Sequence, residues 1–326
     1  MKAVLLMKFG PPEGLRLQEV PKPVPKENQV LIEVRAASVN AADYRIMRAK
    51  PFFLRLMFGG FTKPKDKRVG LDVAGRVEAV GEDVRRFKPG DEVFGTAKGA
   101  FAEYALAREE NLASKPARAS FEEAAALPVA ALTALQGLRD VGGLKPGQSV
   151  LIQGASGGVG TFAVQLAKVF GADVTAVCSP RNLDLVRSLG ADRVLDYTKD
   201  DFAANGKTYD LIFAVNGFHP LSAYRRALNP RGRYVCAGGT MSQIFQAMLR
   251  GPLLSRKNGK RMRSMGIAKV KADDLAYLGE LLEAGKIAPV IDARYTLSDV
   301  PEAFRYVEDK HARGKVVISP VQAAKS

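Results

Sequence analysis

Ser149 to Gly171 reads SVLIQGASGGVGTFAVQLAKVFG, and this stretch decides how the rest of the chain is read. A β-branched apolar run ends in a loop holding Gly154, Gly157, Gly158 and Gly160, and Phe162, Val164, Leu166, Ala167 and Phe170 follow at helical spacing. The pattern predicts a strand, a tight turn and a helix. Glycine backbone lets a pyrophosphate approach closely, and the open amides and positive dipole end of the following helix attract its charge. The spacing departs from G-x-G-x-x-G, because Ala155 takes the first glycine place and leaves Gly157 and Gly160 as the other two. Such a turn can also serve packing alone. A P-loop is disfavoured, since Thr161 follows Gly160 with no lysine.

Working outward, 326 residues suggest about two domains with ample material for a core. There are 49 Lys and Arg against 34 Asp and Glu, a formal charge of +15 that raises nucleic acid, anionic membrane and acidic substrates as partners. The basic residues are spread along the chain, concentrated only at Arg45 to Arg68 and Arg250 to Arg263, without helix-turn-helix or zinc-finger spacing. A solvated basic surface is the leading reading, a peripheral membrane contact the second, and nucleic acid is set aside. No apolar stretch of about 18 residues occurs and the start does not read as a signal peptide, so the expected setting is cytoplasmic. Two cysteines, Cys178 and Cys236, and two histidines, His219 and His311, supply almost no ligands for an all-protein zinc site.

The first 115 or so residues are rich in short strands and turns. Lys2 to Met7, Gln29 to Ala37, Val69 to Val80, Asp91 to Phe94 and Phe101 to Ala107 read as strands separated by proline and glycine signals, which predicts a barrel-like β domain. Met47 to Lys67 mixes aromatics with lysine and arginine, as a lid, a membrane-surface foot or plain core packing would. From Ser120, a plausible N-cap, the pattern turns helical, with an interruption at Pro128. Strands then alternate with helices: Val150 to Gln153, Val174 to Cys178, Val194 to Tyr197, Leu211 to Val215, Tyr234 to Ala237 and Met262 to Ala268. This predicts a doubly wound parallel sheet. A helix at Ala272 to Ala284, a second from Ser298 and a strand at Lys315 to Ser319 look like a return to the first domain. The expected division is therefore 1–119, 120–270 and the returning 271–326.

An NAD site usually carries an acid at the end of its second strand to hold the ribose hydroxyls. Here that strand ends in Cys178-Ser179-Pro180-Arg181-Asn182, without an acid. Ser179 and Arg181 suit a 2′-phosphate, which favours NADPH; a surface arginine is the alternative.

The order of segments resembles the medium-chain dehydrogenase/reductase superfamily, and within it the zinc-free quinone oxidoreductase branch with its chloroplast-envelope and reticulon-interacting-protein-like members. The resemblance runs through AASVNAADYRI (Ala36 to Ile46), GLDVAGRVEAVG (Gly70 to Gly81), FKPGDEVFG (Phe87 to Gly95), LPVAALTALQGL (Leu127 to Leu138), the GASGGVG loop, RSLGADRVLDY (Arg187 to Tyr197) and GKVVIS (Gly314 to Ser319). It implies an α/β fold, a Rossmann sheet joined to a GroES-like β-barrel domain. Asn40, Leu71 and Val129 stand where zinc-dependent relatives carry a cysteine, a histidine and a second cysteine, so the resemblance implies chemistry without a metal Lewis acid.

What it further implies is hydride transfer from NADPH to a quinone or an enone. Asn40 and Thr133 would lie near the nicotinamide, Asn40 donating to a carbonyl and Thr133 orienting the carboxamide, with Tyr44 a candidate proton donor or an ordinary helix-face aromatic. Ser156, Gly157, Gly158, Val159 and Gly160 would cradle the pyrophosphate, and Ser179, Arg181 and Tyr197 the adenosine phosphate. Asn216 and Gly238 would lie on the nicotinamide side, with Gly314 and Lys315 completing the site from the tail. A homodimer is implied as well. The competing reading is a cofactor-binding sensor or membrane-associated interaction protein with little turnover.

Overall fold

The computed structural model describes residues 1–49, 63–217, 219–255, 259–309 and 312–320. The chain divides into two compact units, residues 1–129 with 270–326, and Ala130–Lys269. Most of the aromatic basic stretch after Met47 and His311 lie outside the described residues.

In the first unit β1 (Lys2–Leu6) and β2 (Leu15–Glu19) form an antiparallel pair. A larger sheet takes β3 (Gln29–Val39), β4 (Asp72–Val80), β5 (Glu92–Thr96), β6 (Tyr104–Arg108) and β7 (Leu112–Ser114), joined by β14 (Ile291–Thr296) and β15 (Lys315–Ser319) from the tail. Its order is β14-β15-β3-β4-β5-β7, with β6 also on β3. β4 runs along one edge of β3; the other edge is shared, Gln29–Glu33 pairing with β6 and Ala37–Val39 with β15. β3 can do this because it is buried almost throughout, with two irregularities that re-aim its residues. Val4, Leu6, Ile32, Met47, Phe101 and Phe304 fill the core, the rings of Phe101 and Phe304 meeting edge to face at 5.8 Å.

The helix Phe121–Ala125 starts where the sequence predicts, Ser120 Oγ accepting from the Glu123 amide at 3.2 Å. It packs on β3 and β4, and the Val129 amide donates to Asp72 Oδ1 at 3.0 Å. The compact first unit therefore runs ten residues beyond the expected boundary at 119, to Val129. Apolar patterning marks a helix but not the sheet it covers. The next helix, Pro128–Gln136, opens on its proline, at the position where a missing N–H costs nothing.

The second unit is a six-stranded parallel sheet of β8 (Ser149–Gln153), β9 (Asp173–Cys178), β10 (Arg193–Asp196), β11 (Tyr209–Ala214), β12 (Leu228–Cys236) and β13 (Arg261–Ser264), in the order β10-β9-β8-β11-β12-β13. Val150, Leu151 and Ile152 are fully buried, as expected of a strand covered on both faces. The order reverses between β8 and β11, so the loop after β8 sits at the switch point of a doubly wound sheet. β13 stops four residues short of the predicted Ala268: Gly266 has φ +71° and Ile267 is 95% exposed. β2 and β7 were not predicted; the first is mostly exposed and the second only three residues long, so neither carries a clear period.

Candidate active site

Each unit holds one cluster of polar groups at predicted positions. In the second, β8 ends at Gln153, whose Oε1 accepts from the Tyr224 hydroxyl at 2.6 Å. Gly154 then turns with φ +81°, a left-handed conformation that a side chain disfavours, and the loop passes to the helix Gly158–Val169 with Gly157 at its N-cap. The amides at the start of that helix have no side-chain cap, which leaves them for an anion. Ser156 in this loop and Ser179 just past β9 are joined by a residue that sequence reading did not single out. Asn182 Nδ2 donates to Ser156 Oγ at 2.9 Å and to Ser179 Oγ at 3.0 Å. Arg181 is exposed beside them, and Tyr197, 61% exposed, hangs its amide on the Cys178 carbonyl at 3.3 Å. Asn216 is exposed and its amide donates to the Gln153 carbonyl at 3.3 Å, so it borders the same loop. Gly238 follows β12, where a Cβ would collide with the Val215 carbonyl. Thr133 is half-buried on the helix Pro128–Gln136.

In the first unit the predicted Asn40 and Lys315 meet around a carboxylate. Asp72 is fully buried; its Oδ2 accepts from Ser38 Oγ at 2.8 Å, Asn40 Nδ2 at 2.8 Å and Lys315 Nζ at 3.3 Å. Lys315, 2% exposed, also donates to Asn40 Oδ1 at 2.6 Å and to the Val39 carbonyl at 3.3 Å, so all three ammonium protons have partners in its own unit. Both atoms of the Asn40 amide are engaged, the nitrogen with Asp72 and the oxygen with Lys315. Gly314 has φ +83° and sets the entry to β15. Tyr44 is half-buried and packs against the core. Asp72 and Lys315 left a faint signal, since a lone acid in GLDVAG and a lone lysine in GKVVIS open the strands β4 and β15 and each must find a partner if buried.

Asp43, also missed, accepts the Asn40 amide at 2.7 Å at the start of the helix Ala41–Arg48. Burial pushes its carboxyl up to about 7, the nearby Asp72 charge adds to this, and the Asn40 amide and Lys315 oppose it. Because the folded pKa lies above the unfolded one, the folded chain holds this proton more tightly. Stability is gained as pH falls from about 7 towards about 4 and is absent above that window. At ~1.4 kcal/mol per pKa unit the gain is at most about 4 kcal/mol. Urea unfolding at pH 8 and pH 5.5 should show the parent gaining on Asp43→Asn at the lower pH; a constant difference between the two proteins would remove Asp43 as the source.

Among the described residues no group of three or more His, Cys, Asp or Glu could hold a metal ion. Asn40, Leu71 and Val129 are poor ligands for zinc, and Asp72, the acid that Asn40 and the Val129 amide bond, is already bound to an ammonium. These residues do not fit a catalytic zinc.

A doubly wound sheet with a glycine turn at its switch point, in a chain whose other unit is a β-sheet completed by the tail, is the architecture of the medium-chain dehydrogenase/reductase superfamily, a class of nicotinamide-dependent oxidoreductases. Residues 26–117 match the family described as "Alcohol dehydrogenase GroES-like domain" and residues 189–318 that described as "Zinc-binding dehydrogenase". The chain is 36% identical to the chloroplast envelope quinone oxidoreductase homolog of Arabidopsis thaliana over 95% of each chain. It is 34% identical to the chloroplastic NADPH-dependent alkenal/one oxidoreductase of the same plant, over 98% of this chain and 80% of that one. The solved quinone oxidoreductase from Coxiella burnetii superposes with a TM-score of 0.87 at 31% identity, covering 98% of this chain and 99% of that one. The chain belongs to the quinone oxidoreductase branch of that superfamily.

Proposed function

We propose that this chain is an NADPH-dependent reductase that passes hydride to quinones or α,β-unsaturated carbonyls without zinc. The observation that carries the reading is the set of side chains that, by the resemblance, stand where zinc-dependent relatives hold their metal. Asn40 and the Val129 amide bond an Asp72 that Lys315 pairs, and Leu71 has no metal-binding atom, so these residues offer no site for a Lewis acid that would polarise an unactivated alcohol or ketone. Acceptors already activated by conjugation need less help. Relatives named as quinone and alkenal/one oxidoreductases support the same class.

NADPH, when bound, supplies the hydride. Ser156 and the backbone of Gly157, Gly158, Val159 and Gly160 hold its pyrophosphate in this reading, while Ser179 and Arg181 take the 2′-phosphate beside Tyr197. Asn216, Gly238 and Thr133 serve the nicotinamide end, and Tyr44 stays a candidate proton donor. Asn40 enters as a group that Asp72 and Lys315 hold in place rather than as a free amide, and Lys315 as its anchor rather than as a direct ligand of the cofactor. A homodimer, a peripheral membrane contact and a cytoplasmic setting belong to the same proposal; no described helix is long and apolar enough to cross a membrane.

The test is oxidation of NADPH and NADH against a panel of quinones, enones and simple ketones, with parent and Arg181→Asp. Quinones or enones should turn over and simple ketones should not. The variant should raise the NADPH KM roughly tenfold or more, the scale of one lost charge-assisted hydrogen bond, and spare NADH. Tight nucleotide binding with no turnover of any acceptor would favour a sensor, and unchanged cofactor preference would clear Arg181.

A further inference from the structure

We propose that Asn182 is a positioning residue of the cofactor site, setting the direction in which Ser156 and Ser179 present their hydroxyl protons. The inference rests on the reading that the second unit binds NADPH.

Asn182 stands at the N-cap of the helix Leu183–Ser188, 4% exposed. A capping asparagine normally turns its side-chain oxygen onto an amide of the first turn, but here the side chain makes no cap bond. Its amide nitrogen instead spans two segments, reaching Ser156 Oγ in the loop after β8 and Ser179 Oγ just past β9. The Asn182 amide N–H also donates to the Ser179 carbonyl at 3.0 Å, which fixes the span from the backbone side.

The consequence follows from counting protons. An NH₂ group has two hydrogens and no lone pair to offer, so both serine oxygens accept from Asn182 and neither hydroxyl can direct its own proton there. Each serine is half-buried, with its single proton left to point elsewhere. A phosphate only accepts hydrogen bonds. Two hydroxyls held as donors beside the uncapped start of the helix Gly158–Val169 are therefore matched to it, whereas two freely rotating ones are matched only part of the time.

Asn182 Oδ1 is buried and has no hydrogen-bond partner among the described residues. Turning the amide over would put that oxygen on the two hydroxyls. It would also turn the serine lone pairs outward, towards the phosphate. The orientation found is the one that favours an anion.

The test uses the full chain and reads dissociation constants for NADPH and NADH by calorimetry, with thermal unfolding as a check on folding. Asn182→Ala should weaken NADPH roughly tenfold, the scale of one lost hydrogen bond to a charged group. Asn182→Asp keeps the shape but can only accept, so both hydroxyl protons turn to it and a charge is added; NADPH should weaken by about 100-fold or more. In a Ser156→Ala/Ser179→Ala background there is no hydroxyl left to orient, and Asn182→Ala should cost less than about twofold further. A merely structural asparagine would give the same loss in both backgrounds, and that result would overturn the proposal. So would parent-like NADPH binding by Asn182→Asp, which remains decisive if the alanine variant does not fold. A parent that binds neither nucleotide would sink the dinucleotide reading itself, and the inference with it.

Discussion

Lys315→Met should lower the unfolding free energy by about 3–5 kcal/mol, the scale of breaking a buried ion pair from one side. The ammonium sits 2% exposed against a fully buried Asp72, and methionine fills a similar volume without its charge. Removing it leaves the carboxylate with three donors but no counter-charge, and strips Asn40 Oδ1 of its partner. A buried anion lacking compensation is costly in a way that a lost surface pair is not. The companion experiment is the double variant Asp72→Asn/Lys315→Met. Once the acid is neutral the missing ammonium matters less, so part of the loss should return, with an interaction of a kcal/mol or more between the sites. Denaturant midpoints for the four proteins of this cycle would decide it; strictly additive losses would mean that Asp72 and Lys315 are stabilised independently. Since the same cluster pins Asn40, the single variant should also lose reductase activity when assayed while still folded.

Gly160→Ala is expected to damage both the fold and nucleotide binding. A Cβ at this position would fall far inside van der Waals contact with the Gly154 carbonyl oxygen and stand 2.8 Å from the Cα and carbonyl carbon of Ala155. Those are backbone atoms of the turn itself and cannot swing aside as a side chain would. Overpacking of this kind costs about 1–3 kcal/mol, and the turn must open to absorb it. NADPH affinity should therefore fall at least tenfold, because the amides and Ser156 move with the loop. Gly157→Ala is the natural comparison, since its Cβ would meet only the Gly154 oxygen, at 3.6 Å. That variant should melt near the parent, and any loss of affinity in it reports how closely the ligand approaches. Equal melting temperatures and equal NADPH affinities for Gly160→Ala and parent would refute the steric argument.

Much of this architecture could be read from the residues, and the reasons are local. The fully buried strands of the second unit are continuous apolar runs closed by glycine, and Ser120 with Glu123 is a capping pair that needs no tertiary information. The edges of elements were harder. β2 is exposed, β7 is brief, and the break between the compact units depends on which sheet the helix Phe121–Ala125 covers. For the candidate site, glycines and serines could be singled out because a phosphate would call for them. Asp72 left only the hint of a lone acid in GLDVAG, and its role could not be read from it because its partners lie far along the chain: Ser38 34 residues away, Asn40 32, Val129 57 and Lys315 243. Asn182 was hidden for another reason, since its position reads as an ordinary helix cap.

That last separation has a bearing on how the molecule is made. The acid at residue 72 emerges from a ribosome 243 residues before the lysine that neutralises it, and the whole second unit is synthesised in between. Until β15 docks beside β3, the first unit carries an uncompensated anion at its centre and an unpaired strand edge at Ala37–Val39. Biosynthesis thus has a built-in order: the inserted nucleotide unit can reach its final form first, and the flanking unit is locked only when the tail arrives. A nascent or clipped chain ending before Lys315 should therefore keep that acid without its counter-charge and that strand edge open to other partners.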